Sequence, residues 1–270
     1  MRWIRAMAKF TFTAKLGVAA TSVISLLAFT WPLYLPESVI GFEITNNHYW
    51  IFFLFIPISL LLLALEINRG EIDVKAIALL GVFAALAAAL RQIGAGAVGI
   101  EPIWFLIILA SRVFGATFGF SLGAIAMSLS AILTGGIGPW LPFQIMAAAW
   151  IGFFAGSLPE FLRGKWELLI ISLYAIFAGM SFGLLMDLQL WPWLIGPETS
   201  ISFIQGGAVI DNLQRFLAFH FLTAMAWDIP RSILTATLIW VTGAPILNAL
   251  RRTQRKVIFR SELVKEETAV

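Results

Sequence analysis

The chain reads as an all-α, multi-pass membrane protein, and three observations predict it. Hydrophobic side chains make up 60% of the 270 residues and charged ones 12%, where soluble domains run at about 45–50% and about 25%. Mean hydropathy is +0.91, so the excess is spread along the chain. Apolar runs long enough to cross a bilayer recur, and the cations gather between them. This composition excludes a soluble enzyme, a disordered scaffold and a nucleic-acid-binding domain. The pI near 9.4 reflects basic loops and tails, which membrane topology explains better than an acidic partner does. With no Cys, disulfide frameworks, thiolate metal sites and Cys nucleophiles are removed together. His48 and His220 are too few and too far apart for a histidine metal cluster.

A spanning helix needs roughly 20 mostly apolar residues. Spans are expected near 15–34, 49–67, 75–91, 102–114, 116–134, 143–160, 167–187 and 229–250, eight in all. The first follows Arg2, Arg5, Lys9 and Lys15 in the manner of a signal peptide. Its exit, Thr30-Trp31-Pro32-Leu33-Tyr34, is bulky and offers no small-residue cleavage site, so it reads as a retained signal-anchor. The fourth span is short and runs into the fifth around 111–115.

Orientation follows from Lys and Arg. With the N-terminus inside, all but Arg91, Arg215 and Arg231 of the 18 basic residues fall on the inner side, from Arg69 and Lys75 through Arg112, Arg163 and Lys165 to the cluster beginning Arg251-Arg252. The bias predicts an N-in, C-in chain with an even number of spans. Residues 209–227 are apolar enough to cross, but a crossing there would send the Arg251–Arg260 cluster outside. They are therefore expected on the outer side, as an interfacial helix or a lid. Asp228 then looks like an N-cap with Pro230 in the first turn of the last helix.

Spans one and two are rich in Leu, Ile and Phe, as lipid-facing anchors would be. From Ala76 small residues take over. Gly81, Ala85 and Ala89 recur every four positions, as do Ala84 and Ala88; Gly115, Gly119 and Gly123 form a ridge, and Gly152 and Gly156 another. Lipid gives little hydrophobic drive between helices, so close approach through small faces supplies the packing. For the Gly115 ridge that role is sufficient; for the Ala face an intermolecular docking role competes with it. No internal repeat supports an inverted-repeat carrier.

The predicted outer connections are long and carry Gly, Pro, Trp and isolated charges: 91–102, 134–144 and 187–228. Irregular backbone near membrane depth is tolerated where protein buries it or water lines it, so three such loops on one side predict a cavity. Arg91 and Glu101 fit ligand groups or a rim salt bridge equally well. Glu101 also precedes Pro102 at a helix start, where a carboxylate favours the dipole. Any one of Trp140, Trp191, Trp193 and Trp227 is explained by an interfacial aromatic belt; Trp140, inside a Gly-Pro turn, is the one expected to stack on a ligand. Gly135-Gly136 is no phosphate loop, because no Gly-Lys-Ser/Thr follows. Asp228 and Arg231 sit three apart and read as a local capping pair, and His220 and His48 as interfacial histidines.

No catalytic set is recognisable: there is no Ser/His/Asp grouping, HExxH motif, Walker motif or paired intramembrane carboxylates. Catalytic residues, cofactor and metal are all expected to be absent. Few charges fall at mid-membrane, so a proton relay has little to run on. A binding protein energised by a partner fits this pattern.

Three runs, GIEPIWF at 99–105, RVFGxxxG at 112–119 and above all LTGGIGPWLPFQI at 133–145, resemble the substrate-binding S component of energy-coupling factor (ECF) vitamin transporters, with the closer likeness to cobalamin-type members. WDIPR at 227–231, GAP at 243–245 and Arg251-Arg252 fit as well. The resemblance implies a two-helix N-terminal extension over 1–70, a six-helix substrate-binding bundle over 71–252 and a cytoplasmic tail over 253–270. It implies a cell-membrane vitamin binder, for cobalamin or a related compound, with an outward cavity; of the outer-side residues, Arg91, Glu101, Thr134, Trp140, Gln144 and Asp228 are expected to face it. It further implies docking on a transmembrane T component driven by two ATPase subunits, through Ala84, Ala85, Ala88 and Ala89. A self-sufficient secondary carrier and a non-transporting membrane scaffold are the rival readings.

Overall fold

The structure is a computed structural model that describes residues 12–33, 74–94, 98–159, 161–194, 199–204 and 206–267. Among them every regular element is a helix: α1 (Phe12–Thr30) with a 3-10 turn (Trp31–Leu33), α2 (Val74–Ile93), α3 (Ile103–Phe114), α4 (Ala116–Thr134), α5 (Leu141–Ser157), α6 (Lys165–Leu194), α7 (Val209–Thr223) and α8 (Met225–Glu267). Among the described residues, five helical segments are long and apolar enough to cross a membrane: Lys15–Leu33, Ala76–Ile93, Ala116–Thr134, Lys165–Pro192 and Met225–Lys256. The protein is an all-α membrane protein. The expected span at 49–67, together with Arg2, Arg5, Lys9, His48 and Arg69, lies outside the described residues.

α3 is the centre of the bundle. It packs against α2, α4, α5, α6 and α8, and every residue in it except Phe105 is buried. At 12 residues it is about 18 Å long, well short of the roughly 30 Å hydrocarbon core. Gly115, at φ 97°, breaks the chain between α3 and α4, in a backbone region that favours glycine.

α4 and α5 make the closest pair. A Cβ on Gly119 would overlap the Gly152 carbonyl, one on Gly123 the Ala148 carbonyl, and one on Gly156 the backbone at Gly115 and Ala116. The glycine ridges are thus internal packing faces, in line with the seam expected of them. α2 packs on α3 and α4 with Ala84, Ala87 and Ala88 fully buried, while Gly81, Ala85 and Ala89 lie on its exposed side.

α1 is more than a lipid-facing anchor. Phe29 is fully buried, with its ring 4.9 Å from that of Phe143, and Trp150 Nε1 donates to Ser22 Oγ at 3.0 Å. It packs on α5 and α6 rather than on α2.

Two expectations are corrected in the second half. The loop expected from 187 is helical to Leu194, because α6 runs for 30 residues and carries Pro192 only in its last turn, next to Trp191, which a satellite core holds in place. Asp228 is not an N-cap: α8 begins at Met225, only Ala224 separates it from α7, and the Asp228 backbone N–H already bonds the Ala224 carbonyl at 3.0 Å. Residues 209–223 form a helix of their own whose inner face buries Asn212, Phe216, Phe219 and His220. A small satellite core of Leu188, Trp191, Phe216 and Phe219 fixes α7 to the end of α6.

At the end of the bundle where α3 and α5 finish, a charged clasp closes the fold. Arg112 donates through Nε to Glu167 Oε1 at 2.9 Å and through its other nitrogens to the carbonyls of Leu158 and Pro159. Arg251 Nη2 reaches the same Glu167 oxygen at 2.5 Å. The sequence reading treats Arg112 as a topology-setting loop cation; here it is a buried tie between α3, α6 and the loop after α5.

Candidate binding cavity

At the opposite end, where α3 and α5 begin, lies a cavity of about 700 Å³. Its wall comes from the segment before α3 (Glu101), the start of α5 (Trp140, Gln144), the end of α6 (Phe182 to Leu194) and the α7–α8 junction (Phe219 to Arg231). The lining is mostly apolar and aromatic with a few convergent polar groups, the usual make-up of a small-molecule site.

Local sequence explains how each group arrives. The Thr134-Gly135-Gly136 step ends α4 in a Schellman turn: Gly135 takes φ 66°, and the N–H groups of Gly135 and Gly136 return to the carbonyls of Ile132 and Ala131. Thr134 serves that turn, its hydroxyl donating to the Ser130 carbonyl at 2.9 Å and accepting from the Gly136 N–H at 3.3 Å. The indole of Trp140 folds over Gly138, where a Cβ would strike the ring, and donates to the Gly136 carbonyl at 3.3 Å. Pro142 at the start of α5 lacks the N–H that would be unsatisfied there.

Glu101 is the hub of the polar wall. Its Oε2 accepts from Arg231 Nε at 2.6 Å and from Trp104 Nε1 at 2.9 Å, while Oε1 lies 3.7 Å from Arg91 Nη2. Gly99, at φ 67°, packs so closely on the carbonyl of Trp227 that a Cβ would overlap it, and this seats the segment before α3 against the start of α8. Burial alone would push the Glu101 carboxyl up; Arg231, the Trp104 indole and Arg91 outweigh it and hold the carboxyl below its ordinary value.

Arg231 continues the network. It pairs with Asp228 through Nη1 at 2.5 Å and lies 5.0 Å over the Phe182 ring, a cation–π geometry. Beyond it, His220 Nδ1 is 2.8 Å from Asp187 Oδ2, and His220 Nε2 is 4.0 Å from Asp228 Oδ2. Asp228 and Ser232 of α8 face Gly183 and Gly179 of α6, where any side chain would collide with them.

Of the residues expected at a binding site, Glu101, Trp140, Gln144 and Asp228 line the cavity. Arg91 stands behind Glu101, its other contacts being Met127 Sδ and Ser130 Oγ. Thr134 belongs to the turn. Trp227 lines the cavity; Trp191 is fully buried in the satellite core, with Nε1 on the Ile201 carbonyl at 2.7 Å, and so fits neither an aromatic belt nor a ligand contact. Arg231, read locally as a capping partner of Asp228, does pair with it but also spans to Glu101. His220 is not interfacial: it is 5% exposed and held by Asp187. Asp187, His220 and Arg231 are the polar groups that sequence reasoning missed. The signal was present, since Gly179 and Gly183 share the four-residue spacing of Asp228 and Ser232.

No curated protein and no solved structure matches the chain. The family model described as ECF-type riboflavin transporter, S component, matches residues 71–252, which takes in all of α2 to α7, most of α8 and every residue of the cavity wall. The chain therefore belongs to the S-component family of ECF transporters, a family of membrane transport subunits and not of enzymes.

Proposed function

We propose that this protein is the substrate-capture subunit of an ATP-driven vitamin importer. It holds a flat aromatic vitamin of the riboflavin kind in the 700 Å³ cavity, with that end of the bundle facing outward. The observation that carries the reading is the cavity wall itself, in which Trp140, Phe182, Phe219 and Trp227 surround a polar edge formed by Glu101, Asp187, Asp228 and Arg231. Aromatic faces supply stacking area to a planar ring, and the polar edge sets its orientation. The volume lies within the range of about 300–1,000 Å³ usual for small-molecule sites. The name of the matching family supports riboflavin. A cobalamin-type ligand is the second reading, favoured by the likeness over 133–145; a corrinoid with its nucleotide loop would need the cavity mouth to open further.

Energy comes from a T component and two ATPase subunits. The outward side of α2, with Gly81, Ala85 and Ala89 exposed, is the docking surface, and buried Ala84 and Ala88 support it from within. An N-in, C-in arrangement, which the distribution of basic residues favours, puts the Arg112–Glu167–Arg251 clasp at the cytosolic face. Native mass spectrometry of the full-length protein in detergent tests the capture role, with riboflavin and cyanocobalamin added in turn. One of the two is expected to stay bound, and Trp140→Ala and Arg91→Ala to weaken retention while leaving the bundle folded. If the wild type retains neither, the capture reading fails for both vitamins.

A further inference from the structure

Among the described residues three buried side-chain oxygens have no hydrogen-bond partner: Ser25 Oγ, Gln189 Oε1 and Asp228 Oδ2. Of the three residues only Asp228 lines the cavity. We infer, building on the capture reading above, that Asp228 Oδ2 is the point at which the cavity recognises an N–H or O–H donor of its ligand. The same end of the cavity rejects an anionic group.

The geometry leaves a donor as the missing element. Arg231 Nη1 occupies Asp228 Oδ1, so Asp228 is one half of an ion pair whose second oxygen can only accept. His220 Nε2 stands 4.0 Å from Oδ2, too far for a hydrogen bond. His220 Nδ1 faces the Asp187 carboxylate at 2.8 Å and so carries the ring proton; in the neutral ring Nε2 is then also an acceptor. Asp228 Oδ2 is thus left as an acceptor in a mostly apolar wall. Gly183 makes the arrangement possible, because a Cβ there would fall on both Asp228 oxygens.

A buried acceptor without a partner is costly, and a ligand donor removes that cost on binding. Charge adds the second half of the inference. The lining carboxylates Glu101, Asp187 and Asp228 face one lining guanidinium, Arg231, with Arg91 behind Glu101. With the His220 ring neutral, three carboxylates against two guanidiniums leave a surplus of negative charge, and the apolar surroundings screen it weakly.

Riboflavin, riboflavin 5′-phosphate and cyanocobalamin, titrated into the full-length protein and followed by tryptophan fluorescence, test the inference. In Asp228→Asn the single amide oxygen stays with Arg231 and the NH₂ replaces Oδ2, turning acceptor into donor. Affinity for whichever vitamin the wild type binds is expected to fall roughly 5- to 100-fold, with Asp211→Asn, an exposed acid on α7, unchanged. The 5′-phosphate is expected to bind roughly tenfold or more weakly than riboflavin. Should Asp228→Asn not fold, His220→Phe, which keeps the stack on Phe216, is expected to weaken binding in the same direction. Unchanged affinity in the variant that folds, as a protonated His220 bridging both acids by itself would give, overturns the inference alone. So does a 5′-phosphate that binds as well as riboflavin. A wild type that binds none of the three probes overturns the vitamin-capture reading and the inference together.

Discussion

Arg231 Nε donates to Glu101 Oε2 at 2.6 Å across 130 positions of sequence, and this one contact ties the start of α8 to the segment that opens α3. The same guanidinium holds Asp228 on its own helix and covers the Phe182 ring of α6. A single cation thus fixes the geometry of three walls of the cavity.

Acid should loosen that wall. The Glu101 carboxyl is held below its ordinary value, so its contribution to stability is fully present above the unfolded-state carboxylate pKa and is lost as pH falls through the lowered folded value. The apparent melting temperature in detergent is expected to hold steady from neutral pH to the ordinary carboxylate range and to drop below it. Glu101→Gln should be less stable at neutral pH by about 1–3 kcal/mol and should lose much of the acid-side drop. A variant with an unaltered pH profile would remove Glu101 from the role of hub.

The clasp at the other end predicts stability without specificity. Glu167 is 2% exposed and receives both Arg112 and Arg251, so Glu167→Gln leaves the buried Arg112 and the half-buried Arg251 short of charge. A loss of roughly 3–5 kcal/mol is the scale for breaking a buried pair. Thermal unfolding is expected to register it, while ligand affinity measured below the transition stays within about twofold.

Gly152 lies against Gly119 with no space for a side chain. Gly152→Leu should push α4 and α5 apart; overpacking of this kind costs about 1–3 kcal/mol and occasionally more. Gly81, where a Cβ would meet nothing within 4 Å, is the control: Gly81→Ala should leave the melting temperature unchanged or raise it slightly.

The two faces of α2 separate docking from folding. Ala84 and Ala88 are fully buried, so Ala84→Leu is expected to lower the melting temperature of the isolated protein. Ala85 faces outward, and Ala85→Leu should leave stability and ligand binding intact while reducing uptake by the assembled transporter. Uptake at the wild-type rate with Ala85→Leu would move the docking surface elsewhere.

Much of the architecture is legible in the sequence because lipid makes composition decisive. The apolar runs at 75–91, 102–114 and 116–134 correspond to α2, α3 and α4, since hydrocarbon leaves an apolar backbone few options besides a helix. Legibility fails where the outcome depends on a distant partner. Asp228 followed by Pro230 has the local look of a helix start, yet the chain turns at Ala224, and Asp228 is drawn inside by Arg231 and by the space that Gly183 leaves. His220 looks like an interfacial histidine until α6 brings Asp187 beside it. Pro192 suggests a loop, but Trp191 and the satellite core keep α6 helical past Asp187. Spacing along one helix reveals Asp228 and Arg231 as a pair; nothing local reveals Glu101 as the third member.

The brevity of α3 has a consequence for where a guest can sit. The most enclosed helix of the bundle falls about 12 Å short of the hydrocarbon thickness, while α6 and α8, beside it, carry on past its first turn. Glu101, two residues ahead of α3, lines the cavity together with the α7–α8 elbow and with Leu194 at the far end of α6, so a guest takes up room that a longer α3 would fill. One more helical turn ahead of Ile103 would therefore fill part of that vessel and carry Glu101 out of its wall.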